Sequence, residues 1–172
     1  MRSNNDFEIP FEGLKLGKHS FKLLLTDTFF ADQEFSIIEN GLVELNFELD
    51  KRENMMVGVF EFEGFVEVLC DRCTNPLKVE VSDSYQIVFK FGEEISDDES
   101  LIIIQPNEFK IDLKPICHEL IAVSIPAKNT HDESDCDESV LRILDKYTKY
   151  NNDDEDDDGP IDPRWEALNK VK

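Results

Sequence analysis

The sequence predicts an α+β protein: mainly an antiparallel curved β-sheet or open barrel, with one or two covering helices and a flexible acidic C-terminal tail. Three observations carry this. Period-two alternation recurs through the first half of the chain, apolar residues switch to helical spacing after residue 112, and a run of acids lies near the C-terminus. With 172 residues, 40% of them hydrophobic, the chain is long enough for one domain with a continuous core. Residues 1–150 are therefore expected to form a single β-rich domain, 151–158 an acidic disordered linker, and 159–172 a short motif with helical character.

The elements follow in order. Phe21 to Leu25 is strand-like, and Val43, Leu45, Phe47 and Leu49 alternate with Glu44, Asn46 and Glu48, the pattern of a strand with one wet face. Val57 to Leu69 contains Gly58 and Gly64 and changes phase near Phe60, which predicts a bulge or strong bend. Alternation resumes over Leu77 to Val81, and Tyr85, Ile87, Phe89 and Phe91 share a face. After an acidic loop, 101–104 and 108–111 read as two short strands around Pro106-Asn107. Asp112 then offers an N-cap. Leu113, Ile116, Cys117, Leu120 and Ile121 fall on one side of a helix that should cover the sheet and stop before Pro126. Val140, Ile143, Leu144 and Tyr147 form a second helical stripe.

The formal charge of −21 is not confined to the tail. Residues 153–158 supply six acids, yet residues 1–150 still hold 31 acids against 15 bases. A surface of that sign repels phosphate backbones, because sequence-independent affinity for nucleic acid comes from Lys and Arg displacing counterions. A basic protein partner suits the field better, and solubility alone is the plainer explanation. The first six residues are polar, so neither a signal peptide nor a membrane span is expected and the expected compartment is the cytoplasm.

Four cysteines in a reducing compartment leave metal binding, redox work or core thiols. Cys70 and Cys73 stand as C-x-x-C between two alternating runs. A thioredoxin-type pair needs a helix at its first cysteine, and strand alternation follows here, so the redox reading lacks support. At a hairpin tip the same spacing brings two sulfurs onto one tetrahedral metal. Two further ligands must come from Cys117, His118, His131, Cys136 and His19. Cys117 sits on the apolar helix face, His118 on that helix's flank, and His19 in a strand with no nearby partner. His131 and Cys136 lie in a polar loop, Cys136 just before a helix start. A Cys3His zinc site of Cys70, Cys73, His131 and Cys136 is one reading, and a free thiol pair with an unrelated loop histidine and cysteine is the other. Arg72, between the cysteines, either neutralises thiolates or faces solvent.

No phosphate loop or nucleophile elbow is present, and the carboxylates cluster as repelling runs rather than as pairs in apolar surroundings. An enzyme is not expected, nor is a small-molecule substrate.

Three stretches together resemble the YceD family, the large ribosomal RNA subunit accumulation proteins: Phe7-Glu8-Ile9-Pro10-Phe11-Glu12-Gly13-Leu14-Lys15-Leu16-Gly17, the Cys70-Asp71-Arg72-Cys73 turn with Pro76, and Asp162-Pro163-Arg164-Trp165-Glu166-Ala167-Leu168. The resemblance implies a non-enzymatic ribosome-biogenesis factor supporting synthesis, processing or accumulation of large-subunit ribosomal RNA. Cys70, Arg72, Cys73, Pro163, Arg164, Trp165 and Leu168 are then motif positions. In many relatives a second cysteine-rich segment follows the end of the helix, whereas this chain offers only His131 and Cys136.

Two functions follow as alternatives. In the first, an acidic body engages a basic ribosomal protein or a large-subunit precursor particle, while Arg72, Pro163, Arg164, Trp165 and Leu168 contact the partner, the tail docking as a tethered short helix. In the second, the protein is a metal-dependent hydrolase or nuclease acting on RNA precursors, which would require an exposed metal with an open position.

Overall fold

The computed structural model describes residues 7–33, 36–92, 100–132 and 134–152, with side chains as far as residue 148. The chain divides into two compact units, 1–131 and 132–172. The first holds β1 (Glu8–Ile9), β2 (Gly17–Leu25), α1 (Asp27–Ala31), β3 (Asn40–Lys51), β4 (Met55–Leu69), β5 (Pro76–Phe91), β6 (Leu101–Ile104), β7 (Ile111–Asp112) and α2 (Leu113–Ser124). The second holds α3 (Glu138–Asn152).

The main sheet runs β2-β3-β4-β5-β6 and does not close, and β1 pairs with β7 in a separate ribbon. Strands β2 to β5 are antiparallel neighbours, and β6 joins β5 in parallel. This is the expected α+β architecture, a mostly antiparallel open sheet. Its inner face follows directly from the alternation: Val43, Leu45, Phe47 and Leu49 of β3 are all buried, while Glu44, Asn46 and Glu48 point to water. Phe47 packs on Phe60 with ring centroids 4.6 Å apart, and Phe21 stacks beside it at 5.9 Å, contacts worth about 0.5–1.5 kcal/mol each beyond simple burial.

Asp112 caps α2 as expected, its Oδ1 accepting the Lys114 N–H at 2.9 Å. Leu113, Ile116, Cys117 and Ile121 are buried from that helix, which packs against β5. The helix ends at Ser124, two residues before Pro126, which cannot continue it.

Three features differ from what the sequence predicts. No bulge interrupts β4: the register with β3 is unbroken from Asn40↔Glu67 to Lys51↔Met56, and with β5 from Met55↔Lys90 to Leu69↔Pro76. Met56, Gly58, Phe60, Phe62, Val66 and Val68 all take the inner side. The apparent phase change arose because Gly58 occupies an inner position while Val57 and Val59 face outward. The strand expected over 108–111 shrinks to Ile111–Asp112, and Phe109 is exposed. The third is α1, which was not foreseen. Its five residues bury the adjacent Phe29 and Phe30, too short a run to display a helical period. Asp27 Oδ1 ties it to the sheet by accepting the Gly41 N–H at 3.1 Å.

In the second unit, Asp137 starts α3, its Oδ1 accepting the Ser139 N–H at 2.8 Å. Ile143, Leu144 and Tyr147 of its stripe are exposed. Of the linker expected over 151–158, residues 151 and 152 close α3. The remainder lies outside the described residues, as do Pro163, Arg164, Trp165 and Leu168 of the terminal motif.

Candidate metal centre

The β4–β5 connection places Cys70 and Cys73 in a closed turn. The Thr74 N–H donates to the Cys70 carbonyl and the Cys70 N–H to the Asn75 carbonyl, both at 2.9 Å. Thr74 takes φ +60°, a left-handed conformation that reverses the chain so that both thiols turn inward. Cys70 and Cys73 are 1% and 2% exposed.

The segment after α2 is fastened to this turn. The Asp71 N–H donates to the Asn129 carbonyl at 2.8 Å, and the Asp71 carboxylate accepts the Asn129 N–H at 2.6 Å. That two-bond clamp carries His131 to the cysteines. Its Nδ1 lies 3.4 Å from Cys73 Sγ, and its backbone N–H donates to Cys70 Sγ at 3.5 Å, as does that of Arg72. The His131 Nε2–H donates to the Pro76 carbonyl at 3.0 Å. This fixes the ring with Nδ1 toward the sulfurs, the arrangement in which a second hydrogen bond orients a metal-ligating imidazole.

The donor atoms of Cys70, Cys73 and His131, all in the first unit, lie within 4.8 Å of one another. Cys136 belongs to the second unit, two residues ahead of α3, and is 7% exposed. Three sulfurs and one imidazole nitrogen are the donor chemistry of a Cys3His zinc site.

The electrostatics favour a thiolate at Cys70 and a protonated imidazole at His131, which must give up that proton to ligate a metal. Burial raises the Cys70 thiol pKa, but hydrogen bonds from the Cys73, His131 and Arg72 backbone and from the Cys73 side chain outweigh it and hold the thiol well below its usual range. His131 is raised, first by its contact with the Cys73 sulfur and then by that with Cys70. Cys117 is the opposite case: burial, then the Asp112 carboxylate, push it up to about 12. At neutral pH it is held as the neutral thiol. Iodoacetamide applied to metal-stripped protein at pH 7 is therefore expected to label the Cys70-Cys73 turn and leave Cys117 unmodified, which peptide mass spectrometry reads directly.

His118 and His19 stand apart from the cluster, His118 against Ser36 Oγ and His19 against the Lys15 carbonyl, both at 2.8 Å. Arg72 is half-buried, and its Nη1 is buried without a hydrogen-bond partner among the described residues. The Asp71–Asn129 clamp and the Pro76 carbonyl are site features that sequence reasoning missed, since their partners lie 58 and 55 residues away in the chain. Among the described residues no helix is long and apolar enough to cross a membrane.

A family model described as large ribosomal RNA subunit accumulation protein YceD matches residues 59–172, from β4 through the cysteine turn to the C-terminus. The chain belongs to the YceD family. Neither a curated relative nor a solved structure matches it. The YceD description ties the family to accumulation of large-subunit ribosomal RNA and names no catalytic activity.

Proposed function

We propose that the protein is a non-enzymatic assembly factor that supports large-subunit ribosomal RNA by binding a basic ribosomal protein or a precursor particle, and that Cys70, Cys73, His131 and Cys136 hold one structural zinc ion. The match to the YceD family over residues 59–172 supports the link to large-subunit ribosomal RNA, and the acidity of residues 1–150 favours a basic partner. The second rests on the donor set. When bound, zinc would supply a cross-link between the β4–β5 turn and the segment following α2. Four protein ligands leave no coordination position for a water nucleophile, which favours a fastener over the hydrolase alternative. Three thiolates and one dication sum to −1, a charge that the Arg72 guanidinium between two of the ligands would balance. In this reading Pro163, Arg164, Trp165 and Leu168 contact the partner, with Trp165 and Leu168 as apolar anchors and Arg164 directed to phosphate.

Sedimentation with large-subunit precursor particles tests this. Full-length protein is expected in the particle fraction, and removal of residues 159–172 is expected to lower that fraction at least about tenfold, because a tethered second contact multiplies affinity. Retention after truncation would refute tail docking. Cleavage of precursor RNA by purified protein, lost in Cys73→Ser, would replace the proposal with the hydrolase.

A further inference from the structure

The outer face of the main sheet carries a feature that folding alone does not explain. Glu44 on β3 and Glu63 on β4 are directly opposite each other in the register, and Glu61 follows two residues away on β4, opposite Asn46. All three glutamates are exposed, and among the described residues none of them makes an ion pair or side-chain hydrogen bond. Like charges facing across a ladder destabilise a sheet. Cations on this face sit toward its flanks: Lys18 pairs with Glu48 at 2.7 Å, Lys22 is on edge strand β2, and Lys78 and Lys90 are on β5.

Apolar groups lie beside the acids. Leu24 and Leu42 are 39% and 44% exposed, and Leu42 is opposite the half-buried Phe65. Val59, Asn46, Glu48, Glu61 and Lys22 wall a shallow depression of about 290 Å³. The face already seats one cation on an apolar group, with the Lys78 ammonium 3.5 Å above the Phe65 ring centroid.

We infer that this face docks an extended, lysine-rich segment of a protein partner. Glutamates two residues apart on one strand recur about every 7 Å, the same spacing at which alternate side chains of an extended chain point to one side. Ammonium groups would meet Glu44, Glu61 and Glu63, while their aliphatic stems and intervening apolar residues cover Leu24 and Leu42. The same carboxylates disfavour a nucleic acid on this surface. The inference rests on the proposed assembly role and names the surface and partner chemistry it would use.

The test uses a labelled dodecapeptide of lysines alternating with leucine and glycine, a twelve-nucleotide oligouridylate, and the full chain. Glu44→Gln with Glu63→Gln removes the facing charges. Glu12→Gln with Glu119→Gln makes the same charge change at exposed positions elsewhere in the first unit. The face variant is expected to bind the peptide about tenfold more weakly while melting no lower than wild type, because a repulsion has been removed. The control should bind within about twofold of wild type, and amide shifts on peptide binding should fall on β2, β3 and β4. Equal loss in both variants, or preference for the oligonucleotide, would overturn the inference. Sedimentation with precursor particles separates the two claims. If wild type and face variant sediment alike, the docking face is refuted and the assembly role stands. If wild type fails to sediment while peptide binding depends on the face, the role falls and the docking face stands.

Discussion

Cys73→Ser is expected to yield protein with less than about a tenth of an equivalent of zinc, against about one in wild type, and a melting temperature lower by roughly 8–16 °C. A metal held at about 1,000 times its dissociation constant stabilises the folded state by about 4 kcal/mol, and for a chain of this size each kcal/mol moves the midpoint by about 2–4 °C. Serine keeps the shape of the turn but offers no thiolate to a metal. Cys117→Ala is the matching control: its thiol lies among the buried α2 side chains with pKa pushed up to about 12, so zinc should stay at one equivalent. Acid should release the metal, because ligation requires deprotonated thiols. The sign follows from Cys70, whose folded pKa is depressed. Its contribution is fully present above the unfolded thiol value of about 8.5 and is lost as pH falls through the lower folded value. Elemental analysis across a descending pH series, beside thermal melts, checks both statements. A wild-type protein without metal, or a Cys73→Ser protein that retains it, would remove the centre.

The parts of this molecule that were legible in the sequence are those set by local period. Val43, Leu45, Phe47 and Leu49 announced β3 and its buried side. Asp112 and the spacing of Leu113, Ile116, Cys117 and Ile121 announced α2 and its cap. Cys117 could be set aside as a ligand because its neighbours on that face are apolar, and the same elimination pointed to His131, which the fold does bring to the C-x-x-C turn. What could not be read is carried by backbone atoms and long separations. The Pro76 carbonyl that fixes the His131 ring and the reciprocal Asp71–Asn129 bonds have no side-chain pattern to betray them. Helix α1 escaped because Phe29 and Phe30 are consecutive, and two adjacent buried residues carry no period. The outer-face Glu44–Glu63 pair was visible only as general acidity until the β3–β4 register set the two side by side.

Gly64→Ala should destabilise the fold by more than about 3 kcal/mol, beyond the usual range for a point change, whereas Gly58→Ala, adding the same methyl earlier on the same strand, should cost about 1–3 kcal/mol. Both glycines lie in the unbroken β4 ladder, and the difference is in what a new Cβ would strike. At Gly64 it would collide with the Leu42 carbonyl oxygen and lie 2.7 Å from Val43 Cα. These are backbone atoms of the paired strand, and they can yield only if β3 and β4 move apart and weaken their hydrogen bonds. At Gly58 the methyl would meet ring carbons of Phe47 at 2.8 Å and Phe89 at 2.9 Å, and rings can shift by tenths of an ångström at the cost of packing. Gly13, with nothing within 4 Å, sets the baseline: there the methyl only restricts the unfolded chain, and Gly13→Ala should be neutral or stabilising by up to about 1 kcal/mol. Urea unfolding of the three variants at constant m-value measures the series. The order matters more than its size, because steric backbone contact across β3 and β4 demands Gly64 below Gly58 below Gly13 in stability, whereas a uniform loss of glycine flexibility would leave the three alike.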